Sequence, residues 1–201
     1  MGAYEPDDCE VVAIEPSHEM IAKRKNCNTT LIRGCAENLP FRDNDFDVSM
    51  GILTLHHWSD IYLGLQEMIR ISKEKVVLFT GDASIQMCIQ ELATAFQYQQ
   101  PIVVILLNNA YMGMVRQWQE MFHESRFSHS YFDSLPAFVK LAEGYGGVGL
   151  RADTLAEIDG VLEKAFSVKD RFVFVDIAVA KDENVFPMVP AGAALNEMVL
   201  A

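Results

Sequence analysis

Six short apolar runs, separated by stretches whose apolar residues recur at helical spacing, constrain this chain's fold more than any other feature. The runs are Val11–Glu15 (VVAIE), Thr29–Arg33 (TTLIR), Phe46–Ile52 (FDVSMGI), Val76–Thr80 (VVLFT), Ile102–Leu107 (IVVILL) and Phe172–Val179 (FVFVDIAV). Runs that are apolar at nearly every position suit strands buried on both faces, as in a parallel sheet between helical layers. Between them, Ile61, Leu65, Met68 and Ile69 mark a helix over Ser59–Ser72, and Ile85, Cys88, Ile89, Leu92 and Phe96 share one helical face. Helices are also predicted over Ser17–Lys25, Met112–Phe122, Leu135–Glu143 and Thr154–Phe166, and an irregular tail around Pro187, Pro190 and Gly192. The pattern predicts an α/β fold, layered and Rossmann-like, with a mostly parallel sheet and helices on both faces.

Charge narrows the class of partner. The 201 residues carry a net charge of −12, and residues 1–80 and 81–201 are each acidic, without a clustered basic patch. This argues against nucleic acid or an anionic membrane surface as a partner. No apolar run approaches the roughly 20 residues that span a bilayer, and the N-terminus lacks the basic and apolar regions of a secretory signal. Cys9, Cys27, Cys35 and Cys88 are scattered, with no CxxC pair, which fits free thiols. The expected setting is cytoplasmic.

The chemistry concentrates at the ends of two runs. VVLFT leads into Gly81-Asp82-Ala83-Ser84 and a helix; Gly81 would permit a tight turn and Ser84 would cap the helix. The free N–H groups and dipole of such a helix start favour phosphate. One crossover later IVVILL ends in Asn108-Asn109. Neighbouring parallel strands would deliver Asp82 and Asn109 to the carboxyl edge of the sheet, where α/β folds bind ligands. A carboxylate and an amide oxygen suit Mg²⁺, which takes its other ligands from phosphate and water. The plainer alternative is a helix start and a turn-forming Asn pair.

The wording around these residues, GDAS, then IQELATAFQYQQPIVVILLNN, GMVRQWQEMF, SHSYFDSLPAFVKLAEGYG and VFPMVPAGAALNEMVL, resembles the large, catalytic subunit of acetolactate synthase from about Thr80 onward. That family uses thiamine diphosphate to transfer a two-carbon unit from pyruvate in branched-chain amino-acid biosynthesis. The resemblance implies that Asp82, Asn109 and the backbone carbonyl of Tyr111 bind Mg²⁺, and that Gly81, Ala83 and Ser84 lie by the diphosphate. It places Gly113 and Met114 against the cofactor rings and Trp118 in the substrate channel. It also implies a homodimer. Taken alone, Met114 and Trp118 could be a core stripe, His123 and His129 polar residues without metal-like spacing, and Glu91 a solvated acid.

Residues 1–80 read differently. VVAIEPSHEMIAKR, AENLPFRDNDFDVSMGILTLHHWSD and VVLFT resemble class I S-adenosylmethionine-dependent methyltransferases of small molecules. That resemblance would place Glu15 on the ribose, Ala36 and Glu37 near the adenine and Gly51 near the methionine end, with His56, His57 and Trp58 in the stretch after the fourth strand. The family's first strand and glycine-rich loop are expected before this segment, where only Gly2-Ala3-Tyr4 could correspond.

The chain therefore reads as a truncated methyltransferase-like segment, 1–80, joined to the diphosphate side of a thiamine-diphosphate site, 81–201. The resembled synthase carries its catalytic Glu on a pyrimidine-binding domain, to which nothing here corresponds, so no catalytic residue is assigned. Three functions stand: acetolactate synthase-type transfer, S-adenosylmethionine-dependent methyl transfer, and a hybrid without turnover. A missing first strand would leave a gap in the sheet.

Overall fold

The computed structural model describes residues 8–22, 24, 29–190, 192–194 and 197–199. Gly2-Ala3-Tyr4, Cys27 and the end of the helix expected over Ser17–Lys25 lie outside the described residues, as does the side chain of His56. The apolar runs form strands β1 (Val12–Glu15), β2 (Thr30–Arg33), β3 (Phe46–Ile52), β4 (Ser72–Gly81), β5 (Ile102–Asn108) and β7 (Val173–Ala178). A further strand, β6 (Val148–Ala152), lies where the sequence pattern shows none. The helices are α1 (His18–Ala22), α2 (Ile61–Ile71), α3 (Asp82–Gln86), α4 (Glu91–Gln97), α5 (Gly113–Phe122), α6 (Phe138–Gly144) and α7 (Leu155–Ser167).

Strands β3 to β7 build one parallel five-stranded sheet in the order β3-β4-β5-β7-β6. The chain steps across it in one direction, passes over the place of β7 to reach β6, and returns once. Right-handed crossovers put the helices of the forward steps on one face and the helix of the return step on the other. The cores follow this rule. Alternate residues of the central strands divide between the faces, as the strand period of two requires. Val76, Leu78, Val104, Leu106 and Phe174 pack with Met68 and Ile71 of α2, Ile85 of α3, Leu92 of α4 and Phe138 and Ala142 of α6. Val77, Val103, Ile105, Val173 and Val175 pack instead with Ala165 of α7. Each large apolar side chain removed from water in this way contributes roughly 1.5–3 kcal/mol.

The predicted single helix after Gly81 is two short ones. The apolar spacing continues through Cys88 and Ile89, but turns interrupt the helix between Gln86 and Glu91. Phe96, expected on the buried face, is 46% exposed.

The described strands form two sheets. β1 and β2 pair in parallel, Val12 with Thr30 through Glu15 with Arg33, as a separate two-stranded sheet. Among the described residues no strand pairs with the outer edge of β3. The small sheet is joined to the rest through Ile14, which packs against the first core beside Leu55 and Trp58. β4, by contrast, runs unbroken through Thr80-Gly81, where the resemblance changes, and binds β3 on one side and β5 on the other.

Candidate functional site: the carboxyl ends of β4 and β5

Because Gly81 pairs in register with Leu107, the residues following β4 and those ending β5 emerge side by side. Gly81 is the last residue of β4 and precedes α3 with φ −98° and ψ 164°. That is ordinary extended backbone, so the turn uses none of glycine's freedom. Ser84 does not cap the helix. Gly81 occupies that position without a side-chain bond, and α3 begins at Asp82 itself.

Asp82 is 1% exposed. Its Oδ1 accepts from the Ala83 N–H at 2.7 Å and its Oδ2 from the Ala110 N–H at 2.6 Å. Burial pushes its pKa up, and the nearby charge of Asp176 adds to this; the N–H groups of Ala83, Ala110 and Tyr111 pull the other way, and the net shift is upward. A buried carboxylate that holds backbone donors but forms no ion pair among the described residues is a place where a cation lowers the free energy.

The Asn108–Tyr111 turn closes over it. Asn109 Oδ1 accepts from the Tyr111 N–H at 3.0 Å, and Asn108 Oδ1 from the Ala110 N–H at 3.3 Å. Ala110 sits at φ 57°, a left-handed conformation rare for a residue with a Cβ. A second loop clamps the turn: Met112 N–H donates to Ser130 O at 2.8 Å and Phe132 N–H to Ala110 O at 2.9 Å. The rings of Tyr111 and Tyr131 meet with centroids 4.9 Å apart. Asn109 Oδ1 has a second lone pair beyond the one Tyr111 uses. Among the described residues no trio of His, Cys, Asp and Glu could hold a metal ion. The donor set here is instead one carboxylate with amide and carbonyl oxygens, the hard-oxygen chemistry that Mg²⁺ takes.

Gly113 opens α5 against this turn. A Cβ there would lie 3.3 Å from Asn109 Nδ2, so the absent side chain lets the helix start close to the Asn. On the inner side of α5, buried Gln117 exchanges hydrogen bonds with the backbone of Val185, and Arg116 binds Asn184 Oδ1, Asp182 O and Glu120. Met114 and Trp118 are 44% and 39% exposed, so they are not a core stripe. Trp118 lines an open hollow of about 440 Å³ with Val115, Gln119, His123 and Arg126. His129 and Glu91 are exposed, as the plainer reading had them.

One residue beside the site was missed in the sequence. Asp176 of β7 is buried and accepts from Asn108 Nδ2 at 3.0 Å and from Arg151 Nη1 at 2.5 Å. Its only signal was an acid inside the apolar run FVFVDIAV.

Each acidic residue of the alternative methyl-donor site has a local partner. Glu15 Oε1 accepts from the Ser17 N–H at 2.9 Å. Glu37 accepts from the N–H groups of Ser59 and Asp60 and is held below its ordinary pKa, first by its own backbone N–H and then by these two. Ala36 is half-buried beside Gly64. Gly51 is buried on β3 against Leu78. Cys9 and Cys35 are exposed and Cys88 half-buried, all free.

Fold and site together define a parallel α/β domain with an oxygen-donor edge at the ends of adjacent strands. Comparison with known families agrees. The chain belongs to the thiamine pyrophosphate enzymes, through their C-terminal TPP binding domain, which matches residues 61–177. A methyltransferase domain family matches residues 2–80. The acetolactate synthase large subunit of Haemophilus influenzae is 53% identical over 126 residues, 63% of this chain and 22% of that protein. The isozyme 3 large subunit of Escherichia coli is 48% identical over 133 residues, 65% of this chain and 23% of that protein. Among solved structures, a thiamine diphosphate-dependent 4-hydroxybenzoylformate decarboxylase of Rhodococcus jostii superposes with a TM-score of 0.50 at 28% identity, covering 55% of this chain and 20% of that one. The chain thus spans about a fifth of the length of these relatives. No described helix is long and apolar enough to cross a membrane.

Proposed function

We propose that residues 81–201 form the diphosphate half of a thiamine-diphosphate site of the acetolactate synthase type, acting on substrates of the pyruvate class. The carrying observation is the buried carboxylate of Asp82, held by Ala83 and Ala110 N–H groups but without a counter-cation among the described residues. In this reading Asp82, Asn109 Oδ1 and the Tyr111 carbonyl hold Mg²⁺. The diphosphate lies over Gly81, Ala83 and Ser84, where the first N–H groups of α3 are unpaired by the helix. Gly113 and Met114 lie beside the rings, and exposed Trp118 faces the substrate. The cofactor supplies the carbanion chemistry, and the protein supplies binding and orientation. A partner that brings the acid for the aminopyrimidine, in a homodimer of the family kind, is part of the complete site. In this reading the chain supplies the binding side of the site, in a cytoplasmic setting.

The match of a methyltransferase domain to residues 2–80 favours a second reading, in which Glu15, Ala36, Glu37 and Gly51 hold S-adenosylmethionine. Thermal melts separate the readings. Thiamine diphosphate with Mg²⁺ at a hundred times its Kd stabilises by about 2.7 kcal/mol, and Asp82→Ala abolishes the shift. A shift with S-adenosylhomocysteine, lost in Glu15→Ala, would establish the second reading. No shift with either ligand would leave a hybrid without a working site.

A further inference from the structure

We propose that Asp176 is a positioning residue for the Asn108–Tyr111 turn, acting through Asn108 and held in its turn by Arg151. Only the second of the two tests below rests on the Mg²⁺ reading.

An acid in the middle of an apolar strand is costly to bury unless both oxygens find donors. Asp176, with its side chain 4% exposed, finds both. Arg151, its register partner on β6, donates from Nη1 to Oδ2 at 2.5 Å, and the same guanidinium is oriented by Asp153 through Nη2 at 2.6 Å and Nε at 2.9 Å. On the other side Asn108 Nδ2 donates to Oδ1 at 3.0 Å. An amide whose nitrogen is turned to a carboxylate has its oxygen turned the other way, and Asn108 Oδ1 meets the Ala110 N–H at 3.3 Å. That N–H is shared with Asp82 Oδ2 at 2.6 Å. The left-handed Ala110, a conformation costing on the order of 1–2 kcal/mol for a residue with a Cβ, is thus pinned from two directions. The fixed sense of the Asn108 amide leads from Arg151 through Asp176 to the turn that carries Asn109 and Tyr111.

A residue that merely fastened β6 to β7 would loosen those strands when changed and leave the turn alone. Amide hydrogen exchange on the full chain, without metal, distinguishes the two roles. In Asp176→Asn the Ala110 and Tyr111 amides are expected to exchange about tenfold faster, while Val175 within β7 keeps its protection. The double variant Asn108→Asp/Asp176→Asn rebuilds the pair with donor and acceptor exchanged and is expected to restore Ala110. If Asp176→Asn does not fold, Arg151→Gln, on a side chain 44% exposed, tests the same direction. Unchanged exchange at Ala110 and Tyr111, or an equal rise at Val175, overturns the proposal.

In the second test, Mn²⁺ taken up with thiamine diphosphate is followed by electron paramagnetic resonance. Asp176→Asn is expected to weaken it about ten- to a hundredfold, the usual effect of losing an outer partner. Wild-type affinity in that variant would count against the positioning role. A wild-type chain that takes up no Mn²⁺ with the cofactor would remove the Mg²⁺ reading, and the exchange result would still decide the role of Asp176.

Discussion

Asp82 carries a cost to the fold that the proposed cation would offset. Burial raises its pKa above the ordinary value of 3.8, so the fold favours the protonated carboxyl over the carboxylate. Folded and unfolded chains are alike in charge at this position below 3.8. The fold loses this contribution as pH rises through the raised folded value. A bound cation reverses the preference, because it binds only the carboxylate. In melts without metal, the wild type is therefore expected to gain on Asp82→Asn as pH falls from neutral toward 4. With Mg²⁺ and thiamine diphosphate present, the wild type should lead at neutral pH and lose that lead on acidification. An offset between the two proteins that ignores pH in both series would remove the argument from burial.

At the scale of elements, β6 teaches the most, because nothing in the sequence announced it. β5 and β7 were legible since a strand between two helical layers must be apolar at nearly every position. β6 lies at the sheet's edge, is five residues long and includes Gly149 and Arg151, neither of which promotes a strand. Its glycine answers to packing instead. A Cβ at Gly149 would lie 2.5 Å from the Val139 carbonyl oxygen, helical backbone of the first turn of α6 that cannot swing aside. Gly149→Ala is expected to lower stability by roughly 1–3 kcal/mol, the range for overpacked sites, read from the denaturation midpoint. The helix that follows is better signposted. Thr154 and Glu157 form a capping box at the start of α7, and Thr154→Ala should cost about 1 kcal/mol. The site divides in the same way. Asp82 and Asn109 were readable because strand ends in this fold face one edge. Asp176 was not, since its role depends on the order β5-β7-β6, in which sequence neighbours are not sheet neighbours.

At the scale of the whole molecule, the edge of β3, open among the described residues, matters most. On β3, Ser49 and Gly51 face the helices and are buried, while Val48, Met50 and Ile52 on the other face are 46%, 54% and 54% exposed. α7 packs chiefly on β6 and β7, at the other side of the sheet order. A strand with an unpaired edge and an apolar face is a template for association. The two-stranded sheet beyond it has no fully buried residue in β1, β2 or α1, so it cannot share the cooperativity of the main core. Local stability follows buried apolar contact, so amides of β1 and β2 should exchange by local opening well before those of β5 and β7, which exchange only on global unfolding. Glu67 ties the neighbouring loop to α2 by accepting from the Leu39 N–H at 2.9 Å while paired with Arg70, which holds its pKa low. That tie is complete above pH 4.5 and is lost as pH falls through the lowered value, so acid should widen the difference. Met50→Lys places a charge on the open face at a position already half in water. It is expected to suppress concentration-dependent light scattering and leave the melting of β5 and β7 unchanged. Uniform exchange protection from β1 through β7, together with scattering indifferent to Met50→Lys, would mean that this edge is closed in solution.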